Sequence, residues 1–309
     1  MPQLVDGPVR VSVPATSANL GPGFDALGLA LRLRDELEAE VVPSGLTIDV
    51  TGEGADAVPR DETHLVVRAM RAAFDQMGAR PPGLRLWCRN VIPHSRGLGS
   101  SSAAIVAGVT LARGLVAGGG LLMDDDQVLA LAADLEGHPD NVAPAFLGGF
   151  VISGHDDDGW YATRAAVDPR VSVVVFVPPD PVATEVARGL LPAQVPHADA
   201  AANAGRAALL VAALAGRPEL LHRATRDLLH QDQREPAMPA SLALVRALRA
   251  EGHPAVVSGA GPTVLVFTDG PVHPVADWST GPRELLARCP GGWAAHHLEV
   301  DTRGAVVTG

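Results

Sequence analysis

The chain predicts an α+β architecture of two domains, divided near Asp168, on three observations. Short alternating apolar runs read as strands, Ala- and Val-rich stretches of helical spacing fall between them, and two glycine-rich turns punctuate the pattern. The first domain takes residues 1–168 and the second 169–309. With 309 residues and 47% hydrophobic content, both can fill cores without disulfides.

Val9–Val13 and Leu46–Val50 alternate as strands do, and Glu36–Val42 does so more weakly. Thr63–Met77 has helical spacing, with Thr63 as a plausible cap, and a strand at Leu84–Cys88 leads into the segment PHSRGLGSSSA. A helix is expected from Ser100 to Leu115, then a break at Gly118-Gly119-Gly120. A second helix starts at Asp124-Asp125-Asp126, runs towards Glu136 and stops at Gly137-His138-Pro139. Acidic residues in a first turn suit the helix dipole, so the triple Asp reads as capping rather than metal binding. Strands follow at Phe150–Ser153 and Val171–Val177, and Pro178-Pro179-Asp180-Pro181 turns the chain into its second half. That half reads as helices near Ala200–Ala215 and Ser241–Glu251, strands at Ala255–Val257 and Val264–Phe267, a helix near Arg283–Arg288 and a strand at Trp293–Val300.

Composition excludes several classes of function. A net charge of −11 and only 4% aromatic residues leave neither the cationic surface nor the stacking platforms that nucleic acid needs. No basic apolar leader precedes Val9, and the apolar run from Ala103 meets Arg113 before it could span a bilayer, so no membrane role is expected. Cys88 and Cys289 are too few and too far apart for a metal site, and read as thiols of a reducing compartment, the cytoplasm. All 24 residues counted as Lys+Arg are arginine, which excludes a Walker A loop and any Schiff-base lysine.

Pro93-His94-Ser95-Arg96-Gly97-Leu98-Gly99-Ser100-Ser101-Ser102-Ala103 carries the chemistry. A glycine turn that opens a helix leaves unpaired N–H groups at the positive end of the dipole, which together form a phosphate cradle. The same string is also how an ordinary serine-capped turn is written. Without lysine, a triphosphate must be neutralised by N–H groups, arginine and a divalent metal, for which the serine hydroxyls are candidate ligands.

Three further strings decide between these readings: VPATSANLGPGFDALGLAL (Val13–Leu31), EGHPDNVAPAFLGG (Glu136–Gly149) and VSGAGPTVLVF (Val257–Phe267). The ordered set resembles the GHMP family of small-molecule kinases across nearly the whole chain, and the first two of these three strings look like its homoserine-phosphorylating branch. The resemblance implies an N-terminal mixed β/α ATP-binding domain and a C-terminal ferredoxin-like α/β sandwich. The implied reaction carries the γ-phosphoryl group of ATP to L-homoserine, with Mg2+, in threonine biosynthesis. Pro93–Ala103 becomes the ATP segment, with Arg96 either a phosphate contact or a surface residue. Ser101 becomes a metal ligand. Ala130 stands where some relatives carry a glutamate, so Asp134, one helical turn on, is preferred as the acidic ligand, with Glu136 second. Arg188 and Arg234 match the arginines that take the substrate carboxylate, and Asn19 and Asp25 those on its ammonium and hydroxyl side. His138 and Asn141 match substrate-positioning residues. Asn141 replaces the aspartate base of mevalonate and galactose kinases, and an amide cannot accept the proton. Similar kinases are often homodimers, an assembly the sequence leaves open. Another alcohol as substrate, or a non-catalytic regulator on the same fold, are the competing readings.

Overall fold

Alternation of Val9, Val11 and Val13 with Arg10 and Ser12 makes β1 (Val9–Asn19) a strand with one face in the core. It pairs with β2 (Gly23–Val41), a 19-residue strand whose register with β1 shifts after Pro14 and again after Ala18. These bulges let β2 change neighbours along its length. Leu27–Leu29 face β5 (Phe150–Asp156), while Glu36–Val41 face β4 (Gly83–Asn90). β3 (Gly45–Gly52) lies parallel to β4, and β6 (Gly159–Ala165) extends β5. The computed structural model describes residues 2–269 and 281–308.

Helices α1 (Leu65–Gln76), α2 (Ser100–Gly114), α3 (Gly119–Leu122), α4 (Asp125–Glu136) and α5 (Pro139–Leu147) accompany this sheet, and α2 and α5 both pack on β1 and β2. α2 is buried along nearly its whole length, as its Ala/Val-rich sequence requires. Asp124 accepts from the Gln127 N–H in a capping box, so the triple Asp caps α4 as expected.

The second sheet has the order β10-β7-β9-β8, built from β7 (Val171–Val177), β8 (Ala255–Val257), β9 (Val264–Asp269) and β10 (Ala294–Glu299). Every residue of β7 is buried. Val171, Val173, Val175 and Val177 join the core that also holds the first sheet, while Val174 and Phe176 pack with Met238, Leu242 and Val245 on the opposite face. An unbroken valine run is the sequence of a strand covered on both sides. The covering helices are α6 (Thr184–Gly189), α7 (His197–Gly216), α8 (Leu221–Ala224), α9 (Pro239–Ala250) and α10 (Pro282–Leu286). α7 is the one described helix long and apolar enough by composition to cross a membrane. It turns Leu210, Ala213 and Leu214 into the core.

The structure departs from expectation at four places. β2 starts at Gly23 rather than Glu36, because its first half is apolar on both faces and carries no period-2 signal. β6 has no buried residue and is too polar to stand out. Gly137 does end α4, in the left-handed region, but Pro139 at once starts α5, so the expected stop is a corner between two helices. Thr63 does not cap α1: its N–H and hydroxyl both bind Asp61, and the helix begins after His64.

After β10 the chain returns to the first sheet, where β11 (Val306–Val307) pairs with β1. Arg34 fastens this return by binding Asp301, the Ser12 and Gly304 carbonyls and the Ser12 hydroxyl. Asp301 is almost wholly buried, so removing its cation leaves an uncompensated charge. Arg34→Leu is therefore expected to lower unfolding free energy by about 3 kcal/mol. Urea denaturation checks this; a change within error would mean that the backbone N–H groups of Arg303 and Gly304 satisfy Asp301 alone.

Candidate active site

A cleft of about 530 Å³ opens between the N-terminus of α2 and the Gly259-Ala260 turn, with the start of α5 and Arg188 of α6 on its walls. The loop before α2 forms its centre. Gly97 and Gly99 both have positive φ, +74° and +71°, and both touch other chain segments where a side chain would sit. At Gly97 a Cβ would overlap the Ser258 carbonyl, and at Gly99 the Thr16 hydroxyl. Ser258 Oγ donates to the Gly97 carbonyl at 2.6 Å, the Thr16 N–H to the Leu98 carbonyl at 3.0 Å, and the Thr263 N–H to the Arg96 carbonyl at 3.2 Å. The second glycine string thus shapes the loop from behind.

Of Pro93–Ala103, residues His94 to Ser101 line the cleft, whereas Ser102 and Ala103 are buried behind it and Pro93 leads in. Arg96 does not face it as a free charge: its guanidinium donates to the carbonyls of His94, Pro178 and Pro179, tying the loop to the end of β7. At the N-terminus of α2, the Ser101 and Ser102 hydroxyls each donate to Glu136 Oε1 at 2.7 Å. Asp134, the preferred acidic ligand on sequence grounds, lies away from the loop. It is exposed and accepts from Trp160 Nε1 at 2.7 Å, turned towards β6, because residues 134 and 136 lie about 200° apart around a helix. Glu136, the last residue of α4, faces the loop instead.

His138 and Asn141 both line the cleft. Thr16 Oγ1 donates to Asn141 Oδ1 at 2.8 Å, and His138 Nδ1 lies 2.7 Å from Asp140 Oδ1. Burial pulls the His138 pKa down, but the Asp140 hydrogen bond and the charges of Asp140 and Glu136 outweigh it, and the net shift is upward.

The substrate-side residues also gather. Asn19 is buried in the left-handed region; its Nδ2 donates to the Gly259 carbonyl and its Oδ1 accepts from the Asp25 N–H, so it shapes the SANLGPGFD turn. Asp25 takes a two-pronged ion pair from Arg188, at 2.7 and 3.0 Å, which raises the Arg188 pKa. Arg234 is 1% exposed, and Nη1 donates to the Gly259 carbonyl and to His230 Nδ1. Its Nε has no partner. Burial, then the nearby charge of Arg188, lowers its pKa. Phe24 lies 5.6 Å from each guanidinium. His230 holds Arg234 in place and itself rests on the Gly21 carbonyl through Nε2; burial keeps its pKa low. Sequence reasoning missed Thr16, Phe24, Asp140 and His230, which act through side chains drawn from distant segments. Thr16, Phe24 and Asp140 at least sit inside the quoted motifs.

A family model for the GHMP kinases N terminal domain matches residues 64–149, and one for the GHMP kinases C terminal matches residues 209–277. The chain belongs to the GHMP kinase family. This GHMP kinase is 56% identical to the homoserine kinase of Streptomyces avermitilis over 300 residues, 97% of this chain and 95% of that protein. It is 50% identical to that of Leifsonia xyli subsp. xyli, over 97% and 91%. Among solved structures, the homoserine kinase from Cytophaga hutchinsonii matches with a TM-score of 0.84 at 25% identity, over 99% of each chain. L. major mevalonate kinase matches at 0.67 and 16% identity over 98% and 99%, a likeness of fold alone.

Gly99→Ala should leave the kinase folded but cut its ATP turnover by about tenfold or more, since the new Cβ must displace Thr16 from Asn141. Circular dichroism with a coupled ADP assay checks both halves, and wild-type turnover would show that the loop has slack.

Proposed function

We propose that this kinase transfers the γ-phosphoryl group of ATP to the side-chain hydroxyl of L-homoserine, releasing ADP and O-phospho-L-homoserine. The observation that carries the reading is Arg234, a buried guanidinium in the cleft with an unpartnered Nε and no carboxylate bonded to it among the described residues. A buried cation with a spare donor fits a ligand carboxylate, which arginine grips through two N–H groups. Arg188 beside it shares that carboxylate, and Asp25 supplies the acceptor for the α-ammonium. The names of the similar proteins support the same substrate.

ATP places its phosphates against the N–H groups of Gly99–Ser102 at the start of α2. Ser101 and Glu136 present hard oxygen donors there and suit Mg2+, which keeps several waters and phosphate oxygens as its other ligands. Bound magnesium would offset charge on the β- and γ-phosphates. No cluster of three or more His, Cys, Asp or Glu side chains forms a metal cage among the described residues, so the ion depends on the nucleotide.

In the transfer step the homoserine oxygen bonds to the γ-phosphorus as the bond to the β–γ bridging oxygen breaks. The hydroxyl proton leaves to a γ-phosphate oxygen or to solvent. Asn141 cannot take it. With Oδ1 engaged by Thr16, the Asn141 amide offers its N–H bonds to orient the hydroxyl, and His138 orients it from the other side. A loose transition state needs alignment and charge neutralisation more than a strong base.

The direct test is ADP release with Mg-ATP and, separately, L-homoserine, mevalonate, galactose, L-serine or L-threonine. Homoserine alone should give turnover; another alcohol would move the substrate, and silence with ATP bound would favour a regulator. Arg234→Leu should raise the homoserine KM by about 100-fold and leave the ATP KM within about threefold. Glu136→Gln should raise the Mg2+ concentration needed for half-maximal rate, whereas Asp134→Asn should not. The reverse result would restore Asp134 as the metal ligand.

A further inference from the structure

Asp35 belongs to no part of the chemistry described so far. It lies on β2 opposite Val13, is 5% exposed, and lines the cleft where β4 runs into the nucleotide loop. Its Oδ1 accepts the N–H of Val91 at 2.7 Å and that of Ile92 at 3.0 Å. These are the two residues that follow β4 and immediately precede Pro93. Further on, the Val182 N–H takes the Ser95 carbonyl and the Thr263 N–H the Arg96 carbonyl, before Ser258 and Thr16 take those of Gly97 and Leu98. The Asp35 carboxyl group makes the first ties of the chain after it leaves β4.

We propose that Asp35 is a positioning residue for ATP: as an ionised acceptor it holds the Val91 and Ile92 N–H groups and so aims the loop that receives the phosphates. The inference rests on the reading that this cleft takes ATP, and not on the identity of the alcohol. A carboxylate binds N–H groups about twice as strongly as a neutral carbonyl oxygen does, so protonating Asp35 loosens the loop's attachment.

Burial raises the Asp35 pKa to about 6, against the pull of the two N–H bonds, with the charge of Glu53 adding to the rise. The loop's hold thus weakens in a pH range where the enzyme can be assayed. The groups that face Asp35 are few. Cys88, on β4, has its thiol pushed up to about 12, chiefly by burial and then by Asp35 itself, and stays neutral throughout. Glu53 lies just beyond β3, and His64 and His94 share the cleft wall, both with pKa values lowered by burial. Their own titrations are common to the wild type and any Asp35 variant, so a ratio between the two proteins cancels them.

Stability moves the other way. Because the folded pKa exceeds the unfolded value, the stability tied to Asp35 is fully present below about pH 4 and is lost as pH rises through about 6. Weaker ATP binding in acid is therefore not a symptom of unfolding through this group.

The test compares wild type with Asp35→Asn, whose amide oxygen accepts the same two N–H groups but does not titrate. Mg-ATP binding is measured by calorimetry without any alcohol substrate, from pH 5 to 8. At pH 8 the wild type should bind several-fold tighter, because the neutral amide oxygen of the variant lacks the charge, and the two should converge in acid. From pH 7.5 to 5.5 the wild-type dissociation constant should rise relative to the variant by up to about fourfold, the limit for one group that titrates near 6. In steady state the same ratio should appear in the ATP KM and not in the homoserine KM. A ratio constant with pH, or one that falls in acid, would overturn the proposal, as would an effect confined to homoserine. Asp35→Leu, if it folds, should bind ATP weakly at every pH; wild-type binding by that variant would equally refute it. Because the binding arm contains no alcohol, its outcome is separable from any failure of the homoserine assignment.

Discussion

The insertion of residues 96–99 between β1 and the Ser258–Thr263 turn is the constraint on which the site depends. Two glycines make it possible, since each sits where a Cβ would overlap a neighbouring chain. The same contacts join the halves: the first sheet supplies Thr16 and Ser17, the second supplies Ser258 and Thr263, and the loop between them is bonded to both. Arg96 and the β11 return add ties of the same kind, one from the loop to the end of β7 and one from the last residues to the first sheet. The cleft is consequently a product of both halves, and the N-terminus of α2 stands against Arg188 and Arg234 at a spacing that neither half sets alone.

Charge is placed sparingly in this acidic, lysine-free chain. Many of its arginines pair with carboxylates at the surface, as Arg10 does with Glu38 and Arg246 with Glu235, and such pairs contribute little. Arg34, Arg96 and Arg249 cap carbonyl groups within the fold. Arg188 and Arg234 remain at the cleft, and only Arg234 is buried with a spare donor. A buried cation left partly unsatisfied costs stability, and here His230, the Gly259 carbonyl and the face of Phe24 share the work of holding it.

What the sequence made legible follows from the range of the interactions involved. The glycine turn that opens α2, the capping of α4 and the strand β7 are local patterns, and each is found where its residues predict. Asn141, His138, Arg188 and Arg234 were reachable because each sits in a recognisable string. Counting along a helix from Ala130 reaches Asp134, but it does not tell which face of α4 meets α2, a tertiary quantity, and it is Glu136 that meets the α2 serines. Thr16 and Asp35 were invisible for the same reason: each matters through a hydrogen bond to a residue more than fifty positions away. The corner at His138 was half legible, since Gly137 and Pro139 announce an ending and a beginning with the same residues.

On the proposed reading, Thr16, Gly99 and Asn141 form a site that works without a base. Gly99 leaves room for the Thr16 hydroxyl, which binds the Asn141 carbonyl and so turns the amide N–H groups outward. An aspartate at position 141 would meet the same hydroxyl and would lie near Glu136 and Asp140, where a further negative charge opposes an incoming triphosphate. The amide avoids that repulsion and keeps a directional donor beside the nucleophile. In a reaction whose transition state asks mainly for alignment and compensated charge, a neutral residue fixed by two neighbours is the more consistent choice for a site already rich in carboxylates.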